Sequence, residues 1–165
     1  MKARPDCIPC MFKQALNTIR LVTDDPAQHL EVMRRLGAEV AALSLDETPA
    51  ALSQPAYEIV SAVSGEADPY RDLKAETNRI ALAILPDIEQ AVAQANDPLD
   101  AALHAAVAGN VIDMGIGHAF DIERDVLAML DQPFALTSIE ALRRALGRGV
   151  RVLYLGDNAG EIVFD

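Results

Sequence analysis

The chain has 165 residues, 51% of them apolar, and a formal net charge of −11, a globular composition with enough apolar residues for one domain or for a helical lobe joined to part of another. Acidic residues spread along its length repel a nucleic-acid backbone, and no stretch has the apolar length of a membrane span or of a signal-peptide core; the partners expected are small molecules or proteins, and the expected location is cytoplasmic. The only cysteines, Cys7 and Cys10, are too few for a disulfide framework and agree with a reducing compartment.

From Cys7 to Val22 the apolar residues Ile8, Phe12, Ala15, Ile19 and Val22 recur at three and four, with Asp6 in place as an N-cap, which predicts a first helix. A second follows Pro26, with Leu30, Met33, Leu36, Val40 and Leu43 on one stripe, and a shorter third runs from about Pro55 to Val63 before Gly65. The longest begins at Pro69, where Leu73, Thr77, Ile80, Ile84, Ile88 and Val92 keep helical spacing past Pro86; that proline is expected to bend or split it. Further helices are predicted over Pro98 to Met114 and roughly Glu123 to Leu130. Thr137 and Glu140 have capping-box spacing for a last helix that ends at Gly147 or Gly149.

The character then changes. Val150 to Leu155 is apolar except for Arg151, rich in β-branched and aromatic residues and too short for a helix, so it reads as a central parallel strand. One strand cannot satisfy its own backbone, so the expectation is a mainly helical region over residues 1–148 leading into an α/β core over 149–165. Only the first strand and helix start of that core are expected in this sequence. The sheet is expected to be completed by a missing C-terminal segment or another polypeptide, a homo-oligomer included.

In open α/β sheets ligands bind at the carboxyl ends of strands, where Gly156-Asp157-Asn158-Ala159-Gly160-Glu161 would sit. Asp157 and Asn158 offer hard oxygen ligands suited to Mg²⁺ or Mn²⁺, and the backbone amides after them open a helix able to receive a phosphate. The competing reading is that Asp157 or Asn158 only caps that helix. The segment is neither a P-loop nor Gly-x-Gly-x-x-Gly.

Asp6-Cys-Ile-Pro-Cys-Met-Phe-Lys-Gln-Ala-Leu, Asp68-Pro-Tyr-Arg-Asp-Leu-Lys-Ala-Glu-Thr-Asn, Ala108-Gly-Asn-Val-Ile-Asp-Met-Gly and Gly156-Asp-Asn-Ala-Gly-Glu-Ile-Val-Phe-Asp occur in this order. Together they closely resemble the damage-control phosphatase family, also called domain of unknown function 89, in its microbial branch with an N-terminal Cys-x-x-Cys pair. The resemblance runs from the amino terminus to the last residue. It implies a helical N-terminal region, a three-layer α/β/α core, and metal-dependent removal of phosphate from small phosphorylated metabolites such as sugar phosphates or damaged cofactor precursors. It also implies a divalent metal (Mn, Mg, Co or Ni) held by an Asp-Asn pair, here Asp157 and Asn158, and by a second Asp further along the chain. No residue of this sequence matches that second Asp, so the chain is expected to be truncated and inactive alone.

Arg71, Lys74 and Asn78 fall at i, i+3 and i+7 on the long helix and form a candidate substrate-binding edge; the competing reading is a solvated face beside Asp72 and Glu76. Asn110 and Asp113 project together from an apolar helix, as catalytic groups facing the phosphate or as bridges between helices. Gly160 contributes a backbone donor. Glu161 favours the helix start as a cap, or serves as a base beside the metal. His29 reads as a surface residue, and His104 and His118 as structural histidines. Cys7 and Cys10 admit three readings: half of a second metal site, a redox pair, or small buried hydrophobes. Two functional classes result, a metal-dependent phosphatase of small metabolites and a noncatalytic helical binding module whose terminal strand docks on a partner protein.

Overall fold

The structure, a computed structural model, describes residues 2–114, 132–135, 137–147 and 149–165. The expected helix over Glu123 to Leu130 and the side chain of His118 lie outside the described residues. The helices run α1 Cys7–Val22, α2 Pro26–Val40, α3 Pro49–Ser64, α4 Arg71–Gln94, α5 Pro98–Met114 and α6 Ile139–Ala145, followed by a 3₁₀ turn, Glu161–Val163. No described helix is long and apolar enough to cross a membrane. The chain divides into two compact units, Met1–Asp72 and Leu73–Asp165.

In the first unit, α1, α2 and α3 each contact the other two. Their core holds Met11, Ala15, Ile19, Val32, Leu36, Ala56 and Val60. The buried stripe of α1 is Met11, Ala15, Thr18 and Ile19, one position round from the predicted stripe, and on α2 Leu30 is exposed while Val32 and Leu36 are buried. Contact with two neighbouring helices at once, which a one-stripe reading does not anticipate, selects these positions. Asp6 makes no side-chain cap, whereas Asp25 caps α2 by accepting from Ala27 N at 2.9 Å. Asp6 itself has helical backbone angles, so its carboxylate is not set back over the first turn.

The third helix begins six residues before the expected Pro55. Thr48 Oγ1 accepts from Ala51 N at 3.2 Å and Pro49 takes the first helical position, a stronger start than Pro55 alone. Gly65 ends the helix with a left-handed φ of 75°, as its place in the sequence predicts. Pro55 and Pro86 both lie inside continuous helices. The carbonyls they deprive of a partner belong to Ala51 and Leu82, both exposed residues, where an unpaired carbonyl costs little.

In the second unit Ala81, Ile84 and Ile88 of α4, Ala105 and Ala108 of α5, and Phe164 form the core, with Leu85, Val92 and Val163 against it. The capping box expected at Thr137 and Glu140 is displaced: Ser138 is the N-cap of α6 without a side-chain bond, and Thr137 Oγ1 accepts from Ile139 N at 3.2 Å. Residues 150–155, expected as a strand, carry no strand assignment, and no strand is found among the described residues. Leu153 and Leu155 are 85% and 82% exposed, so this apolar segment leaves large side chains in water. The mainly helical expectation holds.

Candidate functional site

The acidic corner Gly156 to Asp165 is held within the second unit by hydrophobic anchoring, close backbone approach and polar clamping. Phe164 enters the core between α4 and α5, which ties down the end of the 3₁₀ turn. Gly109 on α5 lets the turn approach: a Cβ there would lie 3.3 Å from Glu161 Cα, Cγ and O. Gly160 has φ 84°, a conformation that glycine adopts without strain, and its N–H donates to Asn78 Oδ1 on α4 at 2.7 Å.

The turn's side chains converge on Glu161, which is 7% exposed. One carboxylate oxygen accepts from Asn110 Nδ2 at 2.8 Å and the other from Asn158 Nδ2 at 3.5 Å. A carboxylate removed from water is tolerated when both oxygens find donors, and here carboxamides supply them. The turn closes through Ile162 N to Asn158 O at 3.2 Å, Val163 N to Gly160 O at 3.2 Å and Phe164 N to Glu161 O at 2.9 Å. Asn158 is half-buried and Asp157 exposed. The outcome is a carboxylate and a carboxamide side by side at the surface of a tightly braced turn.

Of the candidate residues, Asn78, Asn110, Asn158, Gly160 and Glu161 are therefore joined in one network. Asn78 serves the turn's backbone, and Asn110 is tied to Glu161. Lys74 is exposed one helical turn before Asn78 on α4. Arg71 pairs with Glu66 at 3.0 Å within the first unit. The side chain of Asp113 lies outside the described residues. Glu161 is not a cap: its buried carboxylate turns to the two asparagines. Sequence reading missed Gly109, although the motif Ala108-Gly-Asn contains it; a glycine inside a helix next to a polar residue is the signal of close backbone approach. It also missed the bond from Tyr154 OH to Asp165 Oδ1 at 2.8 Å, which, as the largest cause, raises the Tyr154 phenol above its ordinary value.

A groove of about 500 Å³ opens beside this network in the second unit, with Leu103, Val107, Leu142 and Tyr154 on its walls and Asn110 and Glu161 at its polar edge. His104 is a structural histidine, as expected: it is 7% exposed, its ring nitrogens face Asp100 O at 2.8 Å and Gln132 O at 2.5 Å, and it stacks on Phe134. His29 is half-buried, not a plain surface residue, with Nε2 on Thr23 O at 2.7 Å. Cys7 is half-buried and Cys10 exposed, so the reading of two buried hydrophobes fails. No cluster of three or more His, Cys, Asp or Glu arranged to hold a metal occurs among the described residues. The corner's donors, one Asp and one Asn oxygen, are of the hard kind that suits a small divalent cation, which keeps several waters and takes few protein ligands.

A family model described as the damage-control phosphatase ARMT1-like domain matches residues 3–165. A damage-control phosphatase of Archaeoglobus fulgidus is 32% identical over the whole of this chain and 58% of its own length. A damage-control phosphatase of Pyrococcus horikoshii is 26% identical, with 57% of its length covered, and an uncharacterized protein of Methanocaldococcus jannaschii is 28% identical, with 56% covered. The crystal structure of a DUF89 family protein from P. horikoshii superposes with a TM-score of 0.84 at 24% identity, over 99% of this chain and 57% of the other, and shares its fold. The chain thus spans somewhat more than half the length of the curated relatives it matches.

Proposed function

The chain belongs to the damage-control phosphatase ARMT1-like domain family, and from that premise we propose that the complete protein is a metal-dependent phosphatase of small phosphorylated metabolites, sugar phosphates or damaged cofactor precursors. The observation that carries the reading is the braced turn, in which Asn78, Asn110 and Glu161 fix Asn158 and leave Asp157 at the surface. Asp157 and Asn158 are the residues to hold a divalent cation (Mn, Mg, Co or Ni), which when bound supplies charge for a phosphate oxygen and for the leaving oxygen.

The chain's own groups do the positioning. Glu161, which accepts from Asn110 and Asn158, holds the amide end of the Asn158 side chain beside Asp157, the neighbour that would share a cation with it. Asn78 holds Gly160, which keeps that residue at its positive φ at the start of the turn. Lys74, exposed one helical turn before Asn78 on α4, is the cation assigned to a substrate phosphate. Exposed apolar residues at Val152, Leu153 and Leu155 support a strand that pairs in the complete protein, as does the greater length of the relatives. The same exposure suits docking on another polypeptide, but family membership favours the phosphatase over a noncatalytic module.

The test is phosphate release by the complete protein with each divalent ion, over a panel of phosphomonoesters. Metal-stimulated turnover is expected, with a loss of roughly a thousandfold or more when Asp157 and Asn158 are both changed to Ala. Undiminished turnover by that double variant overturns the assignment.

A further inference from the structure

The paired cysteines belong to the unit Met1–Asp72. We propose that Cys7 and Cys10 form a redox-active dithiol that exchanges with small, carboxylate-bearing disulfides. The two residues occupy one face of the first turn of α1, where side chains three apart have Cβ atoms about 5–6 Å from each other. A disulfide needs roughly 3.5–4.5 Å, a modest tightening. Pro9, between them, has no N–H to lose, and the Cys7 and Ile8 amides bond carbonyls outside the helix, those of Arg4 and Pro5 at 2.9 and 3.1 Å.

The two sulfurs differ in the way an exchange pair requires. Cys10 is exposed and accessible to an incoming molecule; Cys7 is half-buried, and its Sγ accepts the Arg4 N–H at 3.4 Å. Both line a groove of about 650 Å³ walled by Met11, Gln14 and Leu52, whose charged lining residues are Lys2, Arg4 and Asp6. Lys2 pairs with Asp46 at 2.7 Å, and the Arg4 guanidinium provides the partner for a ligand carboxylate. A closed zinc site takes four ligands, and no third Cys, His, Asp or Glu completes one among the described residues.

In the exchange, the Cys10 thiolate attacks one sulfur of the small disulfide, and the displaced small thiolate takes up the proton that Cys10 gave to solvent. Cys7 then loses its proton, and its sulfur attacks Cys10 in the mixed disulfide. The Cys7–Cys10 bond forms and a second small thiol leaves with that proton. Two protein thiols are oxidised and one small disulfide is reduced to two thiols. In a reducing compartment such a bond is transient, so the pair rests as free thiols.

The test equilibrates the reduced complete protein with rising ratios of oxidised to reduced glutathione, then applies an acid quench, alkylation, intact mass and peptide mapping. Cys7 and Cys10 are expected to lose alkylation together, with loss of two hydrogens per chain and no lasting adduct. Cys7→Ser is expected to trap a glutathione adduct on Cys10, and Cys10→Ser to react far more slowly than the native protein, both with an unchanged circular dichroism spectrum. Full alkylation at the most oxidising ratio, a disulfide joining two chains, Cys10→Ser reacting as fast as the native protein, or stoichiometric zinc released on alkylation would each overturn the proposal. Phosphate release is not the readout, so the outcome is independent of the phosphatase assignment.

Discussion

Within Met1–Asp72, three helices each touch the other two and bury Ile19, Leu36, Val32 and Val60 completely. Within Leu73–Asp165 the apolar core positions on the helices are alanines and isoleucines, with Thr77 and His104 buried beside them, the last turn is pinned by Phe164 and by carboxamide bonds, and the segment before it leaves Leu153 and Leu155 in water. The contrast separates two ways of holding a shape. Large side chains that interlock make a unit whose geometry follows from volume. Small side chains allow backbones to approach, and polar groups then decide where the approaching turn comes to rest.

Substitutions that strike one device and spare the other sharpen that contrast. Leu36→Ala is expected to have the largest effect on stability, a loss of about 2–5 kcal/mol in urea unfolding, because a fully buried side chain in an interlocked core leaves a cavity. Gly109→Ala is expected to cost less, roughly 1–3 kcal/mol, yet to reduce phosphate release by the complete protein, since its Cβ pushes on the backbone of Glu161. Asn78→Ala leaves the buried Gly160 N–H without its partner and is expected to cost about 1–2 kcal/mol. Its distinguishing sign is faster amide hydrogen exchange at residues 160–164 than in α1. Thr48→Ala removes only a cap at the exposed start of α3 and is expected to cost about 1 kcal/mol, with no change in turnover.

The smallest expected effect is electrostatic. The Asp97 carboxyl is held below its ordinary value, first by the Asp100 N–H and then by Arg143. A depressed carboxylate stabilises the fold above its unfolded titration range and loses that contribution as the pH falls through its folded one. Acid titration of stability should therefore show a slight added loss at low pH that Asp97→Asn removes. Half-exposure and salt screening keep it small.

Helix existence was legible throughout the described chain because the apolar period repeats over many turns, and so was the Gly65 stop, where only the residue's own backbone freedom matters. The starts were less legible: Thr48-Pro49 outcompeted Pro55, a choice between two local signals that differ by a single hydrogen bond. For the candidate site, the motifs named Asn78, Asn110, Asn158, Gly160 and Glu161. Their roles did not follow from residue type, since Asn78 suits a phosphate as well as it suits a backbone amide.

The linear order of residues by itself determined the helical periods, the acidic balance, the paired cysteines and the Gly-Asp-Asn-Ala-Gly-Glu turn, all properties of neighbours along the chain. The tertiary structure alone decided that Asn78 meets Gly160 across 82 positions and Asn110 meets Glu161 across 51. It also decided that Gly109 is the place where two backbones touch. Contacts between distant segments depend on how helices pack, and packing is set by the fit of whole surfaces, which no short window of sequence contains.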